Sequence, residues 1–166
     1  LLVFVILSIY LLSTGFSFLD ALSNGAFMAV SGFNNAGFVS LPGGIGNYVG
    51  SWGILMPITQ SALVGAEGFP VMHELRHKFR TPRQWSLHTK LTLTVFVSLV
   101  LVSVLATAIL EWNNPYTFGS LNTGDKILNS LLAGANTRSL GVSAIDMPNF
   151  RSATLFLNDV FMFIGG

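Results

Sequence analysis

The sequence predicts an all-α fold embedded in a membrane, built from helix–loop–helix repeats whose loops re-enter the membrane. Three observations lead there. Of 166 residues, 51% are apolar and only 9% are charged, against about 25% charged in a soluble domain. Residues 1–19, 21–66 and 91–110 hold no Asp, Glu, Lys or Arg. A bilayer crossing takes about 20 apolar residues, and a soluble domain needs charge over most of its surface. Finally, one order of elements occurs twice: span, short apolar segment, glycine-bearing loop, span.

The elements follow in order. Leu1 to about Ser17 is an apolar run, expected to be the end of a spanning helix. Asp20 opens a short segment, Ala21 to Ser31, of small and apolar residues. Its length is too small to cross a bilayer as a helix. Residues 32–38 read Gly-Phe-Asn-Asn-Ala-Gly-Phe, and the stretch from Pro42 to Gly50 reads as a loop. Ser51 to Met72 is a second apolar stretch, with a kink expected at Pro57. Leu91 to Leu110 is the clearest span, closed by Glu111-Trp112-Asn113-Asn114-Pro115, an interfacial aromatic followed by a helix breaker. A second short segment runs from Asp125 to Ala135, followed by Asn136-Thr137-Arg138-Ser139-Leu140-Gly141-Val142. The last apolar stretch, Ala153 to Ile164, meets Gly165-Gly166. Gly37 and Gly141 stand 104 residues apart, and both short segments open near an Asp, which suits a helix N-terminus.

Charge orients the chain. Five of its eight Lys and Arg lie between Glu74 and Lys90, which places that loop in the cytoplasm by the positive-inside rule. A basic loop between two spans is a topological signal, and no nucleic-acid partner is expected. Cysteine is absent, which excludes disulfides and thiolate metal sites. The chain opens within an apolar run and lacks a basic leader, so no signal peptide is expected, and both ends are read as truncations.

Irregular backbone at membrane depth is tolerated only where protein buries it or a water-filled path runs beside it. A half-length helix followed by an extended loop is such an arrangement. Glycine allows positive φ there and turns carbonyls toward an axis. A ring of carbonyls replaces the hydration shell of a potassium ion, and the helix C-terminus adds partial negative charge. Asn34, Asn35 and Ser139 are candidates to hold the loops from behind. The alternative is an ordinary extracellular loop.

Two other features bear chemistry. His73-Glu74-Leu75-Arg76-His77 matches H-E-x-x-H. On a helix the two His share a face fit for zinc, with Glu74 as general base. Arg76, Lys78 and Arg80 oppose a dication, and Asp159 is the one intramembrane candidate for a third ligand. Asp159, inside the last apolar stretch, either draws cations, pairs with a basic residue on another helix, or makes a structural bond. The Gly43-Gly44-Ile45-Gly46 cluster lacks the Lys-Ser/Thr of a phosphate loop.

The motifs together resemble a known family. Ser31-Gly32-Phe33-Asn34-Asn35-Ala36-Gly37-Phe38 resembles the second pore loop of the Trk/Ktr/HKT superfamily of potassium transporters, usually S-A-F-N-N-A-G-F. Gly68-Phe69-Pro70 with Glu74-Leu75-Arg76 resembles the end of that repeat. Trp85 to Lys90 resembles the start of the third repeat, and Glu111 to Pro115 with Gly124-Asp125-Lys126 its outer side. Thr137 to Val142 resembles the third pore loop, usually T-R-T-A-G-F, and Phe161 to Gly166 the entry to a broken helix. Leu140 and Val142 depart from the usual Ala and Phe, and Glu67 stands where the family has an apolar residue.

The resemblance implies a potassium-channel-like fold of helix–pore-loop–helix repeats. Residues 1–80 would be the second repeat and 81–166 the third, each incomplete. It implies potassium transport across the bacterial plasma membrane by a multi-pass protein, not an enzyme, with no cofactor. The filter residues would be Asn34, Asn35, Ala36, Gly37, Phe38, Ser139, Leu140, Gly141 and Val142, with potassium held by backbone carbonyls near Gly37 and Gly141. Gly165 and Gly166 would begin a gate loop. Expected partners are a second copy, a cytosolic nucleotide-binding regulatory subunit and the lipid bilayer. The alternatives are a membrane zinc metalloprotease using residues 73–77, or a non-conducting pore relative.

Overall fold

The computed structural model describes residues 1–165, and among these every regular element is helical. The helices are α1 (Leu2–Ser13), α2 (Phe18–Phe33), α3 (Trp52–Ala66), α4 (Phe69–Lys78), α5 (Leu87–Glu111), α6 (Thr123–Asn136) and α7 (Ser152–Gly165). Short 3-10 turns occupy Ile45–Tyr48, Pro82–Gln84 and Met147–Asn149.

Local chemistry sets the boundaries, and several differ from the hydropathy reading. The first apolar run does not continue to Ser17. It stops at Ser13, where Gly15 at φ 94° turns the chain and Phe16 N bonds back to the Leu11 carbonyl at 3.2 Å, and Ser17 then serves as the N-cap of α2. Its hydroxyl accepts from the Asp20 backbone N–H at 3.2 Å and donates to the Asp20 carboxylate at 2.7 Å. The short segment therefore begins before Asp20 and spans 16 residues, not the stretch from Ala21 to Ser31 alone. The apolar stretch from Ser51 to Met72 breaks into α3 and α4. Gly68, at φ 80°, turns the chain, and Pro70 lies in the first turn of α4, where its missing N–H costs little. The 25-residue α5 starts four residues before the predicted span. Ser86 caps it, accepting from Thr89 N at 3.2 Å. At about 1.5 Å per residue it is about 37 Å long, and it alone among the described helices is long and apolar enough to cross a membrane.

The helices pack as two similar groups. In the first, α1, α2 and α3 all touch one another, and in the second α5 packs on α6 and α7. The groups join where α3 lies against α6. Small residues let the half-length helices lie close to their neighbours: Gly25 of α2 sits against Ser8 of α1, and Gly134 of α6 against Val104 of α5. One core runs through both groups, from Leu7, Leu11 and Met28 through Ile54, Leu55 and Ile58 to Leu128, Leu132, Leu140 and Val142. The outer face of α5 stays uncovered, with Leu91, Leu101, Leu105 and Ile109 all exposed, Ile109 by 75%. A core helix of a soluble protein would have that face buried.

Candidate functional site

The loops that follow α2 and α6 have the same backbone design. At the end of α2, Asn35 N bonds to the Gly32 carbonyl at 3.2 Å; after α6, Ser139 N bonds to the Asn136 carbonyl at 3.1 Å. Asn35 (φ 51°) and Ser139 (φ 64°) are the two non-glycine residues in the left-handed region among those described. Two positions on, Gly37 (φ 73°) and Gly141 (φ 72°) adopt it as well. All of these pairs are separated by 104 residues. Left-handed backbone costs an L-residue about 1–2 kcal/mol, which glycine avoids. Residues of alternating hand turn successive carbonyls to one side, where an extended strand sends them to opposite sides. Such a loop can present several carbonyls to one cation.

The two loops meet. A Cβ placed on Gly37 would lie 3.0 Å from the Gly141 carbonyl oxygen and 3.2 Å from its Cα. One placed on Gly141 would lie 3.0 Å from Gly37 Cα. Glycine is thus required twice over at each position, by hand and by contact. The flanking residues are less alike. Asn34, Ala36 and Phe38 are exposed, Phe38 by 67%, whereas Leu140 and Val142 are buried in the shared core. Leu140 and Val142 thereby contribute packing beneath the loop. Ser139 and Gly141 are exposed.

The support behind the loops is not the one predicted. Asn34 turns its amide to the Val30 carbonyl of its own helix at 2.9 Å, and Asn35 has a buried Oδ1 without a partner among the described residues. Ser31 does the holding: its hydroxyl donates to the Phe38 carbonyl at 2.7 Å and accepts from Phe38 N at 3.0 Å, closing the loop onto α2. In the second loop, Thr137 is fully buried and donates to the Gly134 carbonyl at 2.7 Å. Arg138, also buried, donates from Nη2 to the Phe161 carbonyl of α7 at 2.8 Å. Ser31 and Arg138 were within the quoted motifs, and the signal was available: one hydroxyl a turn before the loop, one lone cation in an uncharged stretch.

Glu111 was read only as the residue that closes a span, and its linking role was missed. It is fully buried at the end of α5. One carboxylate oxygen accepts from Asn114 at 2.6 Å and Thr117 at 2.7 Å. The other accepts from Arg151 N at 3.0 Å and from the Thr154 hydroxyl. The carboxylate thereby joins the end of α5, the following turn and the start of α7. Its signal was its place as an acid at the end of an uncharged span. Asp159 is exposed on α7. Gly165 ends α7, and Gly166, the second residue of the predicted gate loop, lies outside the described residues.

The zinc-protease reading does not survive the geometry. His73 and His77 do share a face of α4, their rings 4.5 Å apart. Glu74 points elsewhere, to the start of α5, where it accepts from Ser86 N at 2.8 Å, Ser86 Oγ at 2.7 Å and Thr89 Oγ1 at 2.5 Å. Those bonds, Thr89 and Ser86 first and the nearby Lys78 ammonium last, hold its carboxyl at about 2, far too weak a base to activate water. No third ligand joins the histidines: among the described residues no group of three His, Cys, Asp or Glu could hold a metal.

The chain belongs to the TrkH family: residues 1–166 match its model, described as cation transport protein. It is 37% identical over 139 residues to Ktr system potassium uptake protein B of Bacillus subtilis, covering 84% of this chain and 31% of that protein. It is 31% identical over 140 residues to the protein of the same name from Vibrio alginolyticus, with the same coverage. Ktr system potassium uptake protein D of Bacillus subtilis is 30% identical over 164 residues, 97% of this chain and 36% of that one. The chain thus spans about a third of the length of the curated relatives it matches.

Proposed function

We propose that this chain forms part of a potassium path through the bacterial plasma membrane, with carbonyls near Gly37 and Gly141 contributing two sides of its selectivity filter. Residues 1–80 and 81–166 are successive helix–pore-loop–helix repeats. The exposed outer face of α5 meets lipid, the basic segment 73–90 lies in the cytoplasm, and both glycine loops open to the outside. Transport involves no covalent chemistry and no cofactor. The working protein pairs with a second copy and with a cytosolic nucleotide-binding regulatory subunit, and Gly165-Gly166 begin its gate loop.

One observation carries the reading: two loops of matched backbone hand, 104 residues apart, meet at their glycines. A filter must replace the ion's hydration shell, so a small carbonyl displacement changes selectivity before it changes folding. The test uses the full-length protein in a bacterium deficient in potassium uptake. Gly37→Ser and Gly141→Ser should insert normally yet reduce rubidium uptake or raise sodium permeation. Gly32→Ala should be tolerated, since its Cβ would meet nothing closer than the Ile58 carbonyl at 3.5 Å. Normal uptake and selectivity in both serine variants, at normal expression, would remove the loops from the pathway. No uptake by the parent protein under any condition would favour a non-conducting relative.

A further inference from the structure

Arg138 is the only charged residue between Lys126 and Asp146. It lies two residues past the last residue of α6 and precedes Ser139 and Gly141, both left-handed. It is 5% exposed. A guanidinium withdrawn from water is costly unless negative groups surround it. Here the end of α6 and a backbone carbonyl of α7 supply them. Arg138 stands at the C-terminus of α6, and its Nη2 bonds at 2.8 Å to the carbonyl of Phe161 in α7. The C-terminus of α6 carries the negative pole of a helix dipole. The matching position in the other loop is Asn34, which is exposed and, among the described residues, bonds through its side chain to Val30 of its own helix. The loop bearing Gly37 is held by Ser31 from its own helix, whereas the loop bearing Gly141 is tied to a different helix.

We infer that Arg138 is the positioning residue of the Gly141 loop: by tying that loop to α7 at Phe161, it sets how well the pathway discriminates potassium from sodium. The inference rests on the pore reading above. Because the bond spans two elements, a shift of α7 displaces the backbone three residues before Gly141. The two loops therefore differ in what can move them, one answering to its own helix and one to α7.

The test measures rubidium uptake and its inhibition by sodium, with protein level, for the full-length protein carrying Arg138→Met, Arg138→Lys or Gly141→Ser. Methionine keeps most of the volume and removes the charged donor. It should insert and lower the potassium-over-sodium preference by about tenfold, the order of a lost charge-assisted hydrogen bond. Lysine keeps a charged donor without the fork and should restore the preference in part, leaving about a threefold deficit relative to the parent. A purely structural role would lower uptake in proportion to protein level and leave the preference unchanged, and that result in Arg138→Met overturns the inference. Should the methionine variant fail to insert, Arg138→Lys decides: a parental preference at parental protein level overturns the inference. If Gly141→Ser shifts the preference and Arg138→Met does not, this inference alone falls. If neither shifts it, the pore reading falls as well.

Discussion

Replacing Glu111 by alanine strips four donors of one acceptor group. Asn114, Thr117, Thr154 and the Arg151 backbone N–H all bond to its carboxylate, and the side chain is fully buried. Each hydrogen bond to a charged group is worth about 1.5–3 kcal/mol, but the losses do not add. Asn114 keeps a second bond, to the Asn149 carbonyl at 3.1 Å. The two threonine hydroxyls can rotate toward other acceptors, and the Arg151 N–H precedes a helix whose N-terminus water can solvate. The Arg151 donor and one rotated hydroxyl left imperfectly paired, together with the cavity, put the net cost at about 3 kcal/mol. For the full-length protein in detergent this should lower the thermal midpoint by roughly 5 °C. Glu111→Gln retains the shape and one acceptor oxygen but turns an amide N–H₂ toward donors, so it should fall between parent and alanine. Because the carboxylate joins α5 to the start of α7, amide exchange should rise at residues 150–154 and stay unchanged in α2. An unaltered midpoint and unaltered exchange in Glu111→Ala would refute the reasoning.

Three further outcomes are expected. Glu74 is held at about 2 against an ordinary value of 4.5, so its ionised form favours the folded state. Its contribution is present in full above about pH 4.5 and is lost as pH falls toward 2; the stability gap between parent and Glu74→Gln should narrow across that window, and a pH-independent gap would contradict the assignment. Ser31→Ala removes both bonds to Phe38 and should cost about 1–2 kcal/mol while lowering rubidium uptake at normal expression; parental uptake would show that the loop needs no tie to α2. A cysteine at Ser86 should resist a membrane-impermeant thiol reagent in intact cells while one at Asn47 reacts, and the reverse pattern would invert the topology.

How much could be read in advance depended on the range of the forces involved. The helical span of α5 was legible because its signal, a long uncharged run, is carried within the helix itself. Its start was misplaced by four residues because Ser86 and Thr89 define the cap through hydrogen bonds that hydropathy does not register. The same blindness joined α1 to Ser17 and ran α3 into α4, although the Ser17-to-Asp20 pair and the glycine–proline sequence at Gly68 and Pro70 were readable cap and break signals. The glycine pair was legible through its spacing, and Asn35 and Ser139 share that spacing. The residues that hold the loops and helices together were harder to find. Arg138 reaches a carbonyl 23 residues away, and Glu111 reaches donors 40 and 43 residues away. Such partners are set by how the helices pack, and no local pattern announces them. The H-E-x-x-H match failed for the complementary reason: its spacing is met on α4, but Glu74 is consumed by capping α5.

The most direct test of the loops as the ion path is to locate the ion. Thallium, a potassium mimic with strong anomalous scattering, would be introduced into crystals of the full-length, transport-active protein. A peak is expected on the axis between the two loops, in contact with carbonyl oxygens adjoining both Gly37 and Gly141, and diminished when sodium replaces potassium in the competing buffer less than when potassium is raised. Thallium bound in the same protein only away from these carbonyls would contradict the central claim.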